Sequence, residues 1–365
     1  MTSSKLQIPV VSIIPGIGEA VRLQLASTTA SSPAAELYKS NKLEIVDLPL
    51  PVVCPPSSSN NHQPKGAIDQ AAPTTPTWNL DPKQQLILEN AEVLFIDAHL
   101  AAPLLLAPKT NLPFDLQHLL KKVQWVQGTY AGVDSYHQFP ETPADPGFTV
   151  SRAGGIMPTA LAQFVFGYVI AMERKLFEAK EYQEKRVFSR WELKYRSFRQ
   201  LTIGILGLGD VGQEIGRTFK ASGFQVLGFK RRVSEDWKTL ASSADRVSTD
   251  LSEVLEQSDY VVNVLPSTDA TRYLLTENAL EVCRKKQPVF INVGRGDVIS
   301  EETIVNALEK GLLSKAVLDV FEKEPLPKES PLWLHPKVIV TPHIAGTVFP
   351  EDVADVFVKN LNRRL

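Results

Sequence analysis

Three residues in the carboxy-terminal half of the chain could do chemistry together: Arg295 in INVGRGD, Glu324 in LDVFEKEPLP and His343 in VTPHIAG. Each stands at or just beyond the end of an apolar run of strand length. Ligands of open parallel sheets bind outside the carboxyl ends of the strands, so the three can face one crevice. A histidine whose second ring nitrogen is held by a carboxylate is a proton donor or acceptor of fixed tautomer. An arginine beside it offers an anion a planar, bidentate clamp, a task lysine performs poorly. Singly, each residue has a plainer reading: Arg295 as a surface ion-pair partner, Glu324 as a turn carboxylate, His343 as a satisfied loop histidine. Their common setting is what favours an acid or base, its orienting carboxylate and an anion clamp.

That setting begins at residues 201–232, LTIGILGLGDVGQEIGRTFKASGFQVLGFKRR. They read as strand, glycine turn, helix and second strand in about 30 residues, the unit that binds a dinucleotide. Gly207, Gly209 and Gly212 fall in G-x-G-x-x-G spacing. The first permits a tight turn, the second lets backbone approach a pyrophosphate, and the third lets the helix pack closely on the strand. Leu208, Asp210 and Val211 complete this turn, where the helix N-terminus offers unpaired N–H groups and the positive end of a dipole. The second strand ends in Lys230, Arg231 and Arg232. NAD-specific sites usually place an acidic residue there, about 20 residues past the glycines, to bind the ribose hydroxyls. Cations in its place suit a 2′-phosphate, so the pattern predicts NADP(H) as the preferred cofactor, with NAD(H) as the alternative. A second glycine pair, in PGIGEAV at 15–21, has Val21 where the third glycine belongs and no charged strand end behind it. It reads as a strand-to-helix turn without a ligand.

The elements that must position these residues alternate along the chain. Strands are predicted at 10–14, 43–46, 93–96, 123–126 and 149–151, then at 201–206, 226–229, 260–265, 289–293, 316–320 and 338–341, spaced for parallel βα units. A long helix is predicted from Thr159 to Trp191. Residues 49–82, dense in Pro, Ser, Asn, Gln and Thr, read as a mobile insertion with too few periodic apolar residues to bury. The mixed basic and aromatic run at 185–199, KRVFSRWELKYRSFR, reads as a solvated helix end and linker anchored by its aromatics.

At 365 residues, 43% hydrophobic and 22% charged, the chain suits an α/β enzyme of two domains. Its 39 basic and 41 acidic residues leave a net charge of -2, which calls for neither nucleic acid nor an anionic membrane as partner. Cys54 and Cys283 lie far apart without metal or redox spacing, so free thiols, no metal and a cytoplasmic location are expected.

From Gly128 onward the motifs GTYAGVD, SRAGG, GILGLGDVG, VLPSTDAT, INVGRGDVISEETIVNALEKG, AVLDVFEKEPLP and TPHIAG follow one another in an order that resembles the D-isomer-specific 2-hydroxyacid dehydrogenases. Within that family, SPLWLHPKVIVTPHIAG and FKRR are most similar to the A-type glyoxylate/hydroxypyruvate reductases. The resemblance implies two Rossmann-like doubly wound domains flanking a cleft. One is a flavodoxin-like substrate domain, 1–151 plus 342–365, and the other an NAD(P)-binding Rossmann domain, 152–341. It implies His343 as acid/base, Glu324 as its partner, Arg295 on the substrate, and backbone amides near Ala131 and Gly132 on the substrate carboxylate. It places Asp319 near the nicotinamide carboxamide and Leu265, Pro266, Val293 and Gly294 along the cofactor. It also implies a homodimer in which Trp191, on the connection before the glycine turn, reaches a neighbouring active site; the plainer reading of this tryptophan is a core or interface anchor. The partner expected is a small 2-oxo or 2-hydroxy acid. A dinucleotide-sensing corepressor-like scaffold of the same fold is the alternative, and the absence of a long tail after the last predicted helix favours the enzyme.

Overall fold

The apolar runs form the strands of two parallel sheets, one in each of two units of the chain, Met1–Ile156 with Val348–Leu365, and Met157–Thr347. The structure is a computed structural model and describes residues 5–28, 32–51, 78–106, 118–133, 135–136, 139, 146–232 and 240–365. Most of the expected insertion at 49–82, and Cys54 within it, lies outside the described residues.

The first unit is built on β1 (Leu6–Val11), β2 (Leu43–Asp47), β3 (Val93–Ile96), β4 (Trp125–Gly128) and β5 (Thr149–Ser151). They pair in the order β2-β1-β3-β4-β5, all parallel. Alternate residues of β1 feed two cores: Ile8 and Val10 pack on α1 (Ile17–Ser27) and the C-terminal helix Pro350–Arg364, while Val11 joins a second cluster with Leu94, Ile96 and Val126. Phe357 of that last helix stacks on Phe95 at 4.4 Å and on Trp125 at 5.8 Å. Burying a ring of that size contributes about 1.5–3 kcal/mol. The PGIG segment is a strand-to-helix turn: Gly16, at φ 77, caps α1, and Gly18 packs against Asp47. The remaining helices here are α2 (Pro33–Lys39), α3 (Pro82–Asn90) and α4 (Ala98–Leu106).

The second unit opens with α5 (Pro158–Glu173) and α6 (Leu176–Glu184). The single long helix expected over 159–191 is therefore broken, with Lys175 in the left-handed region at φ 51. Apolar periodicity stops there, and α6 buries no residue. At the break Glu173 turns inward to accept hydrogen bonds from Tyr260 Oη (2.6 Å) and Arg196. Arg174 lies over the Tyr195 ring.

The sheet follows: β6 (Thr202–Leu206), β7 (Gln225–Phe229), β8 (Arg246–Ser248), β9 (Tyr260–Asn263), β10 (Val289–Asn292), β11 (Lys315–Leu318) and β12 (Val338–Val340). Their order is β12-β11-β10-β9-β6-β7-β8, all parallel. Strand order reverses between β6 and β9, and in such sheets that switch point opens a crevice beyond the carboxyl ends. Helix α7 (Asp210–Ala221) packs on α5 through Ile215 and Phe219. Helices α8 (Leu251–Gln257), α9 (Glu277–Leu280) and α10 (Glu301–Glu309) complete the unit. Among the described residues, no helix is long and apolar enough to cross a membrane, and no cluster of His, Cys, Asp or Glu could hold a metal ion.

Candidate active site

The glycine turn sits at the switch point. Gly207 adopts φ 102, which L side chains rarely tolerate, and its N–H reaches the Phe229 carbonyl at 3.1 Å. A Cβ on Gly212 would collide with the Gly207 carbonyl, so helix α7 can start only where it does if that residue is glycine. Gly209 faces open space and caps α7 without any side-chain cap bond. The first-turn N–H groups, among them those of Asp210 and Val211, are thus left for a ligand. Leu208 is buried under the turn, against Gly228. At the end of β7, Lys230 is half-buried and Arg231 and Arg232 are exposed. None of them has a carboxylate partner among the described residues.

Two asparagines that sequence reasoning missed fix the neighbouring loops. Asn263 and Asn292 end β9 and β10, fully buried, and Asn263 Nδ2 donates to Asn292 Oδ1 at 2.8 Å. Asn263 Oδ1 accepts from Leu265 N (3.2 Å), Asn292 Oδ1 from Gly294 N (3.2 Å), and Asn292 Nδ2 donates to the Arg295 carbonyl (3.1 Å). One amide pair therefore positions Leu265, Gly294 and Arg295 together. Leu265 is half-buried, Pro266 exposed and Val293 buried. The signal in the sequence was a polar residue closing two otherwise apolar strands, YVVN and VFIN.

Beyond β11 and β12 the expected acid–base pair is formed. His343 Nδ1 lies 2.7 Å from Glu324 Oε2, and Glu324 Oε1 accepts from Phe321 N at 3.0 Å. The hydrogen bond to Glu324 lifts the His343 pKa above its ordinary value against the opposing effect of burial. Burial would raise the Glu324 carboxyl, but the bonds from His343 and the Phe321 amide hold it low. Arg295, half-buried with Nη1 donating to the Gly294 carbonyl at 2.9 Å, acts electrostatically on both groups. The three residues therefore share one locality, with the imidazole 55% exposed to receive a ligand.

Asp319, 1% exposed, holds the histidine turn. Its Oδ1 accepts from Thr341 Oγ1 (2.6 Å) and Ile344 N (2.9 Å), its Oδ2 from Ala345 N (2.9 Å), and its carbonyl from His343 N (2.9 Å). His343 itself sits at φ 54, a left-handed conformation that these bonds on either side support.

In the first unit, Ala131 and Gly132 follow β4, half-exposed, and neither N–H has a partner among the described residues. Thr129, just before them, is buried and donates to Asp97, a fully buried carboxylate that also accepts from Ser12 Oγ (2.6 Å) and Ile13 N (2.8 Å). Sequence reasoning passed over Asp97 because it closes an apolar strand with no motif around it.

Trp191 is 77% exposed, which removes the reading of it as a core anchor within the chain. Its segment is instead anchored by Tyr195 and Phe198, stacked at 6.3 Å, by Phe198 on Phe224 at 5.3 Å, and by Arg196 bound to Glu173 and to Asp259 (3.0 Å).

Comparison with known proteins bears on this arrangement. The family model described as the NAD binding domain of D-isomer specific 2-hydroxyacid dehydrogenase matches residues 166–345. A glyoxylate reductase from Thermofilum pendens is 31% identical over 242 residues, 65% of this chain and 70% of that protein. Glyoxylate/hydroxypyruvate reductase A from Klebsiella pneumoniae is 33% identical over 185 residues, 50% of this chain and 58% of that protein's length. Among solved structures, a D-isomer specific 2-hydroxyacid dehydrogenase family protein from Aeromonas salmonicida superposes with a TM-score of 0.71 at 29% identity, covering 99% of this chain and 96% of that one.

Proposed function

The chain belongs to the D-isomer specific 2-hydroxyacid dehydrogenase family, and from that premise we propose that it reduces a small 2-oxo acid with NADPH, glyoxylate to the achiral glycolate or hydroxypyruvate to the D-2-hydroxy acid. The observation that carries this reading is the 2.7 Å contact between His343 and Glu324 within the electrostatic reach of Arg295, in the unit that also carries the glycine turn. The bound nicotinamide supplies the hydride for C2 of the substrate. Negative charge then develops on the carbonyl oxygen and needs a proton and a cation. His343 donates the proton from Nε2 while Glu324 holds Nδ1 and stabilises the imidazolium. Arg295 forks onto the carboxylate and carbonyl oxygens. In the first unit, the Ala131 and Gly132 N–H groups, without partners among the described residues, suit an anion, as paired backbone N–H groups do elsewhere. The enzyme acts as a homodimer, a reading supported by Phe188 and Trp191, which are 94% and 77% exposed on one chain.

The residues present fit a dinucleotide: uncapped amides at α7, open space at Gly209, and three cations closing β7 that have no carboxylate partner among the described residues. Gly207 to Gly212 would hold the pyrophosphate, Lys230, Arg231 and Arg232 a 2′-phosphate, and Leu265, Pro266, Val293 and Gly294 the remainder. NADPH should bind at least about tenfold more tightly than NADH, about 1.4 kcal/mol. Added salt, Arg231→Ala or Arg232→Ala should each shrink that gap when the two dissociation constants are measured by titration. Equal affinities at low salt would reassign the cofactor and leave the reductase reading in place.

The pH dependence of reduction has a definite sign. The imidazolium is the donor, so the rate is full below the raised His343 pKa and falls as the pH rises through it. Glu324→Gln removes the charged partner that raises it, so the alkaline limb should move to lower pH. A limb that stays put would make Glu324 a purely structural residue. The function itself is tested by NADPH oxidation across a panel of small 2-oxo acids, with turnover of glyoxylate or hydroxypyruvate expected. No turnover with any member of the panel would favour the non-enzymatic scaffold.

A further inference from the structure

Within the second unit, Arg295 lies on the segment after β10 between two ties to the segment after β9. The nearer tie is the Asn263–Asn292 pair, which holds the Leu265 and Gly294 amides and the Arg295 carbonyl. The two backbones touch there: a Cβ on Gly294 would stand 2.8 Å from the Leu265 carbonyl oxygen. The farther tie is Asp297, a half-buried carboxylate that the proposed chemistry does not use. Its Oδ2 accepts from Ser267 Oγ at 2.5 Å and from Arg272 Nε at 3.2 Å, and its carbonyl accepts from Tyr273 N at 2.7 Å. Tyr273 takes a left-handed φ of 50 at this bond, a conformation that the surrounding contacts must hold. Between these anchors the turn 266–272 is closed on itself, because Thr271 Oγ1 donates to the Pro266 carbonyl (2.6 Å) and accepts from Thr268 N (2.9 Å). Arg272 also reaches Asp269 of the same turn, at 3.7 Å. Asp297 therefore grips a preformed turn at both ends, and Pro266 is placed with it.

We propose that Asp297 is a positioning residue that locks the turn bearing Pro266 to the segment bearing Arg295, so that one carboxylate sets both the cofactor-facing turn and the anion clamp. The inference rests on the proposed reduction of 2-oxo acids for the roles of Pro266 and Arg295. It gives Asp297 no part in hydride or proton transfer. Without the carboxylate, the asparagine pair and the bond from Leu275 N to the Val298 carbonyl (3.0 Å) still hold β9 and β10 in register. What is lost is the placement of the turn and of Arg295, not the sheet beneath them.

The test compares the unsubstituted enzyme with Asp297→Ala, Asp297→Asn, Arg295→Lys and the double variant Asp297→Ala/Arg295→Lys. It measures kcat/KM for the best 2-oxo acid of the panel and for its neutral 2-oxo amide, the dissociation constant of NADPH, and Tm. Asp297→Ala should lower kcat/KM for the acid about tenfold, the scale of one charge-assisted hydrogen bond, and lower the acid-over-amide ratio with it. The NADPH dissociation constant should rise about threefold, the scale of a partly exposed ion pair. Asp297→Asn keeps an acceptor oxygen and should recover part of both losses. If Asp297 acts through Arg295, its removal should change the acid-over-amide ratio far less once Arg295→Lys is present, a non-additivity that a merely structural role would not produce. Unchanged kcat/KM and NADPH affinity in folded Asp297→Ala would overturn the inference and leave the reductase reading intact. Additive losses in the double variant, or equal losses for acid and amide with a lowered Tm, would also overturn it. An unsubstituted enzyme that reduces no 2-oxo acid would overturn both readings.

Discussion

Replacing His343 with alanine should lower turnover of the preferred 2-oxo acid by at least about a hundredfold, with the NADPH dissociation constant little changed. The size follows from its place in the site. His343 is a half-exposed imidazole whose Nδ1 is fixed by Glu324 at 2.7 Å, leaving Nε2 to deliver the proton. Its turn is held by Asp319 through backbone groups of residues 343, 344 and 345 and the Thr341 hydroxyl, none of which the substitution removes. Glu324 loses a partner but keeps the Phe321 amide, and at 35% exposure its freed carboxylate can take up water. The loss should therefore appear in kcat and not in Tm, measured side by side. A near-normal rate would remove His343 from the mechanism.

Arg295→Lys should cost on the order of 2 kcal/mol or more in kcat/KM, well beyond the loss of one exposed ion pair. The loop that carries Arg295 is fixed through the Gly294 amide and the Arg295 carbonyl by Asn292, so exchanging the side chain leaves the backbone where it is. Charge is conserved as well, so the electrostatic effect on His343 and Glu324 persists and the pH profile should keep its shape. What disappears is the planar fork. Neutral 2-oxo amides should already be poor substrates of the unsubstituted enzyme and should lose less on substitution. Steady-state kinetics with acid and amide check both statements, and equal rates for acid and amide would show that no carboxylate clamp exists.

Much of the architecture was legible because parallel strands buried on both faces are short apolar runs, and YVVN, VFIN and KAVL each announce themselves. The glycine spacing gave the switch point for the same reason: only glycine allows φ 102 at Gly207 and the contact at Gly212. What the sequence hid was polar and long-range. Asn263 and Asn292 are 29 positions apart and become partners only when β9 and β10 pair. Asp319 entered through the family resemblance alone, as a neighbour of the nicotinamide carboxamide, and its engagement with residues 341–345 depends on the β11–β12 pairing. The break at Lys175 could not be foreseen from helical periodicity, because Glu173 is drawn inward by Tyr260 and Arg196, distant in sequence. Strand β8, Arg246–Ser248, is too short to carry a period-two signal and was missed.

Transfer of deuterium from cofactor to substrate tests the central claim most directly. With NADPH deuterated at nicotinamide C4 and hydroxypyruvate as substrate, the account predicts D-glycerate carrying deuterium at C2, in amounts equal to the NADPH oxidised, from the unsubstituted enzyme and far less from His343→Ala. Oxidation of NADPH without deuterium at C2, or product of the opposite configuration, would contradict it.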